Sequence, residues 1–335
     1  MNIIDKEKTE RLSEVFSYNF EITRYYAWYL EFCPTVINSE LVDELTSDGD
    51  LSKNEAITAL LSEIFGIDVN RGVRDRRILR DYLTPSVRLL DAKRYTENPY
   101  YKNVKIENVK DGDWELKLES YPAYRAMIAG DIEMYDDFRE VPPLGFFSEE
   151  FKFPAVLEGG NEWMTLTPVD LDTSDYAIER AHGRVATFGL GLGYYAYMVS
   201  RKPEVESITV IEKSEKVISL FKKYILPQFE HPEKVRIIHA DAFEYAEKEC
   251  PRECYDVIFA DTWRDASDGA PMYKKFKALE HLSPNTEFLY WIENFLISRL
   301  RAEKYEELKG LVEAGNDRAP KDFSEFLSRL KNPLL

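Results

Sequence analysis

Cysteine is scarce in this sequence, and its scarcity excludes two kinds of site. The 335 residues include three cysteines, Cys33, Cys250 and Cys254. Three thiols are too few for a disulfide framework or for a zinc site with four thiolate ligands. The short spacing of Cys250 and Cys254 permits a redox pair, but unpaired thiols in a reducing compartment are the favoured interpretation. The four histidines have no metal-ligand spacing among them, so we expect no bound metal.

Long apolar runs and an excess of positive charge are also missing. No stretch approaches the roughly 18 apolar residues that a membrane-spanning helix needs, and residues 1–14 are charged from Asp5 onward, without the apolar core of a signal peptide. Asp and Glu number 61 against 44 Lys and Arg, which gives a formal net charge of −17. A chain this acidic repels phosphate backbones and anionic lipids. We therefore expect a soluble, cytoplasmic protein that binds neither nucleic acid nor membrane.

The length and the apolar content predict a globular protein with more than one domain. At about 150 residues per domain there is room for two domains and a third small piece, and 44% hydrophobic residues suffice for a full core. From changes in hydrophobic periodicity we expect four segments. They are a helical N-terminal region over 1–100, a small β segment with hairpins and a linker over 101–180, a Rossmann-like α/β domain over 181–300, and a helical C-terminal tail over 301–335.

Local capping and turn signals support the first two segments. A capping-box pattern at 52–55 predicts the start of a helix. Asp-Gly at 111–112 and Gly-Gly at 159–160 separate runs of alternating polarity, and each predicts a β-hairpin. Between the hairpins, the sequence VPPLG at 141–145 is interpreted as a linker. After the second hairpin, Ser174 is expected to cap a short helix.

Residues 184–293 alternate between short apolar runs rich in β-branched residues and stretches with helical periodicity. The five apolar runs are RVATF, SITVIE, VRIIHA, YDVIFA and TEFLYWIE. Strands that alternate with helices at this spacing predict a doubly wound, mostly parallel sheet with helices on both faces. The predicted fold class is therefore α/β and Rossmann-like, preceded by an N-terminal helical region and a small β segment.

A glycine-rich turn follows the first of these strands. Gly189, Gly191 and Gly193 allow the backbone to approach a ligand closely, and the helix that follows offers free N–H groups. In an open parallel sheet, ligands bind in the crevice at the carboxyl ends of the strands. The dinucleotide pattern G-x-G-x-x-G is not met, because its third position is Tyr194. The spacing suits a nucleoside without a pyrophosphate, although an ordinary tight turn explains it nearly as well.

Acidic residues follow the next two strands. Glu212 could accept hydrogen bonds from both hydroxyls of a ribose, or it could be a surface residue before a helix capped by Ser214. Asp241 could accept a hydrogen bond from an adenine amino group while Phe243 packs on the ring, or it could serve only as a helix cap. Because the glycines and both acids stand in order, each at the end of a strand, together they favour a nucleoside site.

Four stretches give the sequence a family resemblance: VATFGLGLG, VIEKSEKV, HADAFEYA and YDVIFADTW. Over about residues 155–293 the chain resembles the class I S-adenosylmethionine-dependent methyltransferase superfamily, and within it the spermidine-synthase-like branch. The resemblance implies S-adenosyl-L-methionine as the cofactor, with Asp261 at its reacting end. It also implies that the cofactor is bound by Gly189, Gly191 and Gly193 at the methionine end, by Glu212 at the ribose, and by Asp241, Ala242 and Phe243 at the adenine.

Three positions depart from the family's patterns and bear on the reaction. Many methyltransferases have an acid at the position of Thr187. Aminopropyltransferases have an aspartate that pairs with an ammonium at the position of Leu192, and a second acid at that of Arg264. Loss of an ammonium's partner at a desolvated site is costly, so we expect methyl transfer to a small-molecule acceptor. The alternatives are an aminopropyl- or aminocarboxypropyl-transferase, and a protein that binds the cofactor or a partner without turnover.

The acceptor side of the predicted site is less determined. Asp261 could deprotonate the acceptor or only orient it, or it could simply end a strand. Tyr194, Trp263 and Arg264 are expected in the substrate pocket, although the two aromatic residues could equally pack at a domain interface. We expect the helical N-terminal region and the β segment to cover the cleft and select the acceptor. The first helix is rich in aromatic residues, which could form either a core face or the interface of a homodimer: Tyr25, Tyr26, Trp28 and Tyr29.

Overall fold

A computed structural model describes residues 6–334, which divide into two compact units. Each unit is assembled from segments that are distant in the sequence. The first unit contains the residues up to 90, residues 123–148 and the residues from 292 onward, and the second contains Asp91–Pro122 and Glu149–Trp291. The four consecutive domains expected from the sequence stay a prediction.

The helices and strands follow one another along both units. The helices are α1 (Lys6–Phe32), α2 (Ser39–Thr46), α3 (Lys53–Ile64), α4 (Val73–Ile78), α5 (Thr84–Ser86), α6 (Ala92–Thr96), α7 (Pro99–Asn103), α8 (Pro168–Arg180), α9 (Tyr194–Ser200), α10 (Glu215–Leu220), α11 (Ala242–Lys248), α12 (Cys250–Glu253), α13 (Ala266–Leu279), α14 (Glu293–Glu313) and α15 (Phe323–Lys331). The strands are β1 (Val87–Leu90), β2 (Val109–Asp111), β3 (Trp114–Tyr121), β4 (Met127–Ile128), β5 (Glu133–Met134), β6 (Glu140–Val141), β7 (Leu144–Phe147), β8 (Phe151–Glu158), β9 (Asn161–Thr165), β10 (Gly183–Phe188), β11 (Val205–Glu212), β12 (Val235–His239), β13 (Val257–Ala260) and β14 (Glu287–Tyr290). Short π-helical turns lie at Leu79–Leu83 and Phe221–Ile225, and 3₁₀ turns at Leu226–Gln228, Pro232–Lys234 and Glu280–Leu282.

Helices α1–α5, α14 and α15 make up most of the first unit. The capping box at the start of α3 is confirmed, because the Ser52 hydroxyl accepts a hydrogen bond from the Glu55 N–H and the Glu55 carboxylate accepts one from the Ser52 N–H. One face of α1 is buried, and Ile22, Tyr26 and Tyr29 on that face belong to the core of this unit. The apolar spacing along α1 therefore fixes the helix against its own unit.

A three-stranded sheet completes the first unit and overturns one expectation. Strand β7 pairs in parallel with β1 and antiparallel with β4. It begins inside residues 141–145, so the prediction of a linker there is wrong. Val141 and Leu144 are buried, and the Ser86 hydroxyl donates a hydrogen bond to the Pro142 carbonyl at 2.6 Å. The strand was missed for two reasons. Two consecutive prolines precede it, and because it is buried along its whole length its sequence does not alternate between polar and apolar residues.

Strands β2, β3, β8 and β9 form an antiparallel sheet in the second unit. Both predicted hairpins are confirmed: β2 and β3 are joined at Gly112, and β8 and β9 are joined at Gly159 and Gly160. The φ angles of the three glycines are +66°, +59° and +83°. These left-handed conformations are the ones that the tight hairpin turns require.

The helix expected after the second hairpin begins earlier than the sequence suggested. Helix α8 starts at Pro168, and the prediction that Ser174 caps it is wrong. Thr167 is the cap, and it forms a capping box with Asp170. Proline is well suited to the first position of a helix, since it lacks the N–H that would otherwise need a partner there.

Five strands of the second unit form the predicted parallel sheet, in the order β12-β11-β10-β13-β14. Every pairing in it is parallel. Numbered along the chain from β10, the order is 3-2-1-4-5, that of a doubly wound nucleotide-binding sheet. Helices α9, α10 and α11 pack against β11, and the reversal of strand order at β10 puts the connecting helices on both faces. The Rossmann-like α/β fold class predicted from the sequence is confirmed.

The reversal of strand order at β10 also predicts where a ligand binds. In such a sheet the ligand crevice opens at the carboxyl ends of two neighbouring strands whose connections run to opposite sides of the sheet. Helices that could reach across a membrane are not found between residues 6 and 334.

Candidate functional site

A cleft of about 550 Å³ lies at the carboxyl ends of the parallel strands. It is bounded by the loops that follow β10, β11, β12 and β13, by β9, and by the first turns of α8 and α13. Nine of the eleven predicted site residues line it: Gly189, Gly191, Glu212, Asp241, Ala242, Phe243, Asp261, Trp263 and Arg264. Gly193 and Tyr194 do not. The structure thus brings together residues that are up to 75 positions apart in the sequence.

The glycine loop that joins β10 to α9 is packed too tightly for side chains. A Cβ atom at Gly189 would collide with the backbone carbonyl oxygen of Asp261, and one at Gly191 would collide with the thioether of Met164. The φ angles of these glycines are +96° and +50°, in the region that other residues rarely adopt. The loop therefore runs along the cleft as bare backbone, which a ligand can approach closely.

Gly193 and Tyr194 lie at the start of α9 and support the loop. A Cβ atom at Gly193 would collide with the ring of Phe221. Tyr194 is buried, and its hydroxyl accepts a hydrogen bond from the Asn98 side-chain amide at 3.0 Å. The sequence left open a place for Tyr194 in the substrate pocket or at a domain interface; in the structure its hydrogen-bond partner belongs to the same unit.

Glu212 is fixed against the glycine loop. It is buried; one carboxylate oxygen accepts a hydrogen bond from the Leu190 N–H at 3.0 Å, and the other accepts one from the Ser214 N–H at 2.7 Å. Ser214 caps α10, as one interpretation of the sequence predicted, but Glu212 is not an exposed residue. Each carboxylate oxygen keeps a free lone pair with which it can accept a hydrogen bond from a ribose hydroxyl.

Asp241 is a helix cap that also faces the cleft. One oxygen accepts hydrogen bonds from the N–H groups of Phe243 and Glu244, at 3.0 and 3.2 Å, and the other lies 3.2 Å from the Lys213 ammonium. Burial tends to raise the pKa of Asp241, but these N–H donors and the Lys213 charge outweigh burial, so the pKa lies below its usual value. The capping interpretation is confirmed, and Asp241 is an ionised acceptor at neutral pH.

The Phe243 ring is held by α13. It stacks on Phe276, with 4.2 Å between ring centroids, and the Lys275 ammonium lies 3.8 Å from its centroid. Phe276 in turn stacks on Phe188 at the end of β10. Phe243, which lines the cleft after β12, therefore belongs to a stack of three aromatic rings, and the Lys275 ammonium lies against its ring.

Asp261 is the predicted reacting-end residue, and its carboxyl group is free of protein partners. Its backbone N–H extends the sheet by donating to the Phe188 carbonyl at 2.8 Å, but within residues 6–334 no group forms a hydrogen bond or ion pair with its side chain. Burial raises the pKa of Asp261 to about 8, and the negative charges of Asp170 and Glu212 add to the increase. An acid with a pKa this close to neutrality can both accept and release a proton.

Asp170 is a site residue that the sequence analysis missed. It lines the cleft, and it also lines, together with Asp261, a neighbouring cavity of about 20 Å³, large enough for one water molecule. One carboxylate oxygen accepts hydrogen bonds from the Thr167 N–H and hydroxyl, at 2.7 and 2.9 Å, and burial raises its pKa to about 6. The T-x-x-D capping pattern ahead of α8 was the available signal.

Apolar and aromatic side chains form the remaining walls. The Trp263 ring is buried and its indole N–H has no acceptor in the described part of the chain. The sequence analysis also missed wall residues from elements outside the recognised motifs, since nothing local marks them: Trp163 and Met164 on β9, Met272 on α13, and Trp291 after β14.

The charges around the cleft are mostly negative. Six carboxyl groups line it, against the two cations Lys213 and Arg264. The Arg264 side chain is 86% exposed, and its guanidinium lies 4.0 Å from the Asp268 carboxylate, which offsets its charge.

Leu192 is buried, and the Tyr100 hydroxyl donates to its carbonyl at 2.6 Å. No cluster of three or more potential metal-ligating side chains was found among residues 6–334.

No protein-family model matches the chain, and no curated protein does. Among solved structures it is similar to a Klebsiella pneumoniae protein provisionally assigned as an O-methyltransferase (21% identity over 28% of this chain and 41% of that one, TM-score 0.22). It is also similar to precorrin-8w decarboxylase of Methanobacterium thermoautotrophicum, with 17% identity over 41% of this chain and 66% of that one and a TM-score of 0.27. A third similar structure is spermidine synthase of Thermotoga maritima, with 16% identity over 59% of this chain and 71% of that one and a TM-score of 0.31. The chain thus spans less than two thirds of the first two proteins. Likenesses this low carry no conclusion about reaction, cofactor or substrate.

Proposed function

We propose that this protein is an S-adenosylmethionine-dependent methyltransferase that acts on a small-molecule acceptor. The observation that carries the proposal is one cleft in which a bare glycine loop, a carboxylate fixed to that loop and an unpartnered carboxyl group meet. These are the loop at Gly189 and Gly191, the carboxylate of Glu212 and the carboxyl group of Asp261. The family resemblance of the motifs that contain them supports the same proposal.

The residues present fit the cofactor. The glycine loop presents backbone to the cleft at Gly189 and Gly191, and Glu212 can accept hydrogen bonds from ribose hydroxyls. The loop after β12 would hold the adenine beside Asp241 and Ala242. S-adenosylmethionine, when bound, supplies a methyl group activated by a sulfonium. The chain's own task is then to hold the acceptor in line with that methyl group and to exclude water. Trp263 and Met164 contribute apolar walls for that purpose.

Asp261 is the proposed proton acceptor. Its carboxyl group opens into the cleft without a protein partner, and its raised pKa makes the ionised form basic enough to take a proton from an acceptor atom near neutral pH. Asp170 shares the small cavity with it, and the charge of Asp170 adds to the increase in the pKa of Asp261. Asp170 is therefore a positioning residue that makes Asp261 a stronger base.

The charges of the cleft favour an amine as the acceptor. Six carboxyl groups against two cations attract a cationic ligand, and Asp170 supplies a carboxylate that the motifs alone did not predict. A protonated amine must lose one proton before its lone pair can attack a methyl group, and Asp261 would take that proton. Aminopropyltransferases have acids at the positions of Leu192 and Arg264. Because both acids are missing here, a polyamine bound as in those enzymes is disfavoured, whereas a simpler amine is not.

The nucleoside product tests the proposal directly. The full-length protein is incubated with S-adenosylmethionine and a panel of small amines, alcohols and carboxylic acids. S-adenosylhomocysteine as the product supports methyl transfer. Methylthioadenosine formed from S-adenosylmethionine instead supports an aminocarboxypropyl-transferase. Methylthioadenosine formed in a parallel incubation with decarboxylated S-adenosylmethionine supports an aminopropyltransferase, and either result overturns the proposal. Binding without either product supports a cofactor-binding protein without turnover.

Calorimetry with S-adenosylmethionine tests the cofactor site separately. Glu212→Ala should abolish binding, because it removes the carboxylate that is fixed to the loop. Glu206→Ala is the matched control, since Glu206 is an exposed glutamate on the same strand that does not line the cleft. Failure of the wild-type protein to bind S-adenosylmethionine would overturn the assignment of the whole site.

A further inference from the structure

Helix α1 carries a line of exposed aromatic residues. Phe20, Trp28 and Phe32 are 69%, 46% and 67% exposed, and Arg24 stands between Phe20 and Trp28. Their spacing of four positions puts all four side chains on one face of the helix. Single exposed aromatics are ordinary, whereas three exposed aromatics on one face of a helix are typical of an interaction surface. We call these four residues the α1 stripe.

The stripe is not needed to fold its own unit. The opposite face of α1 carries Ile22, Tyr26 and Tyr29, which are buried in the core. The helix is therefore held rigidly, and the stripe is presented on a fixed surface. An interface built on a rigid helix loses little conformational entropy when a partner binds.

Two charges of opposite sign on this face have no partner. Arg24 and Glu31 are exposed, and neither forms a hydrogen bond or ion pair with any residue in the range 6–334. Two other acids of α1 form ion pairs with α4: Glu14 pairs with Arg77 and Glu21 with Arg74. The unpaired charges therefore coincide with the aromatic face.

We propose that the α1 stripe is the interface of a homodimer in which two copies of α1 pack antiparallel about a two-fold axis. With the axis between Ala27 and Trp28, Arg24 lies opposite the partner's Glu31, and Glu31 opposite the partner's Arg24. Trp28 then packs over the partner's Ala27, and Phe20 meets the end of the partner's helix near Phe32. The surface is self-complementary, as a two-fold interface requires.

Charge selects the antiparallel arrangement over the parallel one. In a parallel pair, Arg24 would face Arg24 and Glu31 would face Glu31, and such juxtaposed like charges are unfavourable. The antiparallel pair converts both contacts into ion pairs. Exposed ion pairs contribute little affinity, so the aromatic residues supply the attraction while Arg24 and Glu31 determine orientation. The inference concerns association alone and is independent of the proposed reaction.

Charge reversal tests the proposal on the full-length protein. Sedimentation velocity and light scattering are recorded over about 1 to 100 μM protein, the range in which a moderately stable dimer dissociates. We expect the wild type to dimerise, and Arg24→Glu or Glu31→Arg alone to raise the dissociation constant at least about tenfold, because each creates two like-charge contacts. The double variant Arg24→Glu/Glu31→Arg should recover the wild-type value to within about threefold, since both ion pairs are restored in reverse.

Lys309→Glu is the matched control. Lys309 is an exposed cation on α14 in the same unit; it is not one of the stripe residues and has no hydrogen bond or ion pair within residues 6–334, so its reversal should leave the dimer unchanged. Circular dichroism checks that each variant is folded, as expected for exposed positions. A wild-type monomer at every concentration overturns the proposal. So does a dimer that tolerates the single reversals, or a double variant as weak as the single ones.

Discussion

At the scale of single residues, the carboxyl group of Asp261 determines how the proposed reaction depends on pH. Its pKa is raised to about 8 by burial and by neighbouring negative charge. A carboxyl group accepts a proton only when it is ionised, so kcat/KM should rise with pH and level off above about 8. The pH profile of a turning-over acceptor checks this expectation. A profile that is level from about pH 6 upward would exclude Asp261 as the base.

Asp170 should shift that profile without taking part in the transfer. Asp170→Asn removes a negative charge but keeps an oxygen that can accept the Thr167 hydrogen bonds, so the pKa of Asp261 should fall by roughly half a unit or more. The rising limb of kcat/KM should move to lower pH accordingly. Asp265→Asn is a suitable control, because Asp265 caps α13 in a similar capping box and does not line the cleft. A lower rate with an unmoved profile would indicate a purely structural role for Asp170.

The same burial should make Asp261 costly to stability. Its pKa is higher in the folded than in the unfolded chain, so the folded state loses stability as the pH rises from the unfolded value, near 4, toward about 8. Asp261→Asn should therefore raise the free energy of unfolding by roughly 1 to 3 kcal/mol at about pH 8, and by less at about pH 5, while activity is lost. Urea unfolding at both pH values measures the difference. A variant that is less stable at the higher pH would contradict the assignment of a partly buried carboxyl group without a protein partner.

At the scale of elements, the sequence predicted the structures that are determined by a few neighbouring residues. Both hairpins follow from glycines at their turns, and the five parallel strands follow from apolar runs of the right length. The pairing of β1 with β7 could not be predicted, because it joins Val87–Leu90 to Leu144–Phe147 and no local pattern encodes a distant partner. Asp170 was missed for the same reason. Its sequence marks a helix start, but its place in the cleft depends on how α8 packs.

Residues of the glycine loop and of β9 should be energetically coupled in cofactor binding. Gly191→Ala should weaken the binding of S-adenosylmethionine about tenfold, because the new methyl group displaces the Met164 thioether into the cleft and the residue has a positive φ angle. Met164→Ala in the same chain should restore part of the loss, since it removes the colliding atom. Calorimetry of the two single variants and the double variant measures this coupling.

Gly189→Ala provides the contrast. Its methyl group would collide with the backbone carbonyl oxygen of Asp261, which cannot rotate away, so Met164→Ala should not rescue it. Gly310→Ala in α14 is the control, because that position has open space around it. Equal rescue of Gly189→Ala and Gly191→Ala by Met164→Ala would mean that the loop is simply mobile.

At the scale of the whole molecule, the net charge of −17 takes on a more specific meaning. In the sequence alone, this charge argued only against binding to nucleic acid or membrane. The cleft itself is lined by six carboxyl groups and two cations, so the overall charge and the local charge have the same sign. A field of one sign over the surface and the cleft accelerates the approach of an oppositely charged ligand.

Ionic strength should therefore separate cationic from neutral acceptors. For a protonated amine, kcat/KM should fall several-fold between about 20 and 500 mM salt, because screening shortens the reach of the field, whereas a neutral acceptor should change little. Arg264→Gln removes an exposed cation at the cleft and should raise kcat/KM for the amine two- to fivefold at about 20 mM salt, with the gain lost at high salt. Lys222→Gln, at an exposed cation of the same unit that does not line the cleft, should have no such effect.

The opposite salt dependence would be equally informative. If kcat/KM for the best acceptor rises with salt, and Arg264→Gln lowers it, the acceptor is an anion that Arg264 and Lys213 recognise against the surrounding field. The amine would then be wrong, although S-adenosylhomocysteine could still be the product and the methyl-transfer proposal would stand. Because the product identifies the reaction and the salt dependence identifies the sign of the acceptor's charge, the two measurements together test the cofactor side and the acceptor side of the cleft independently.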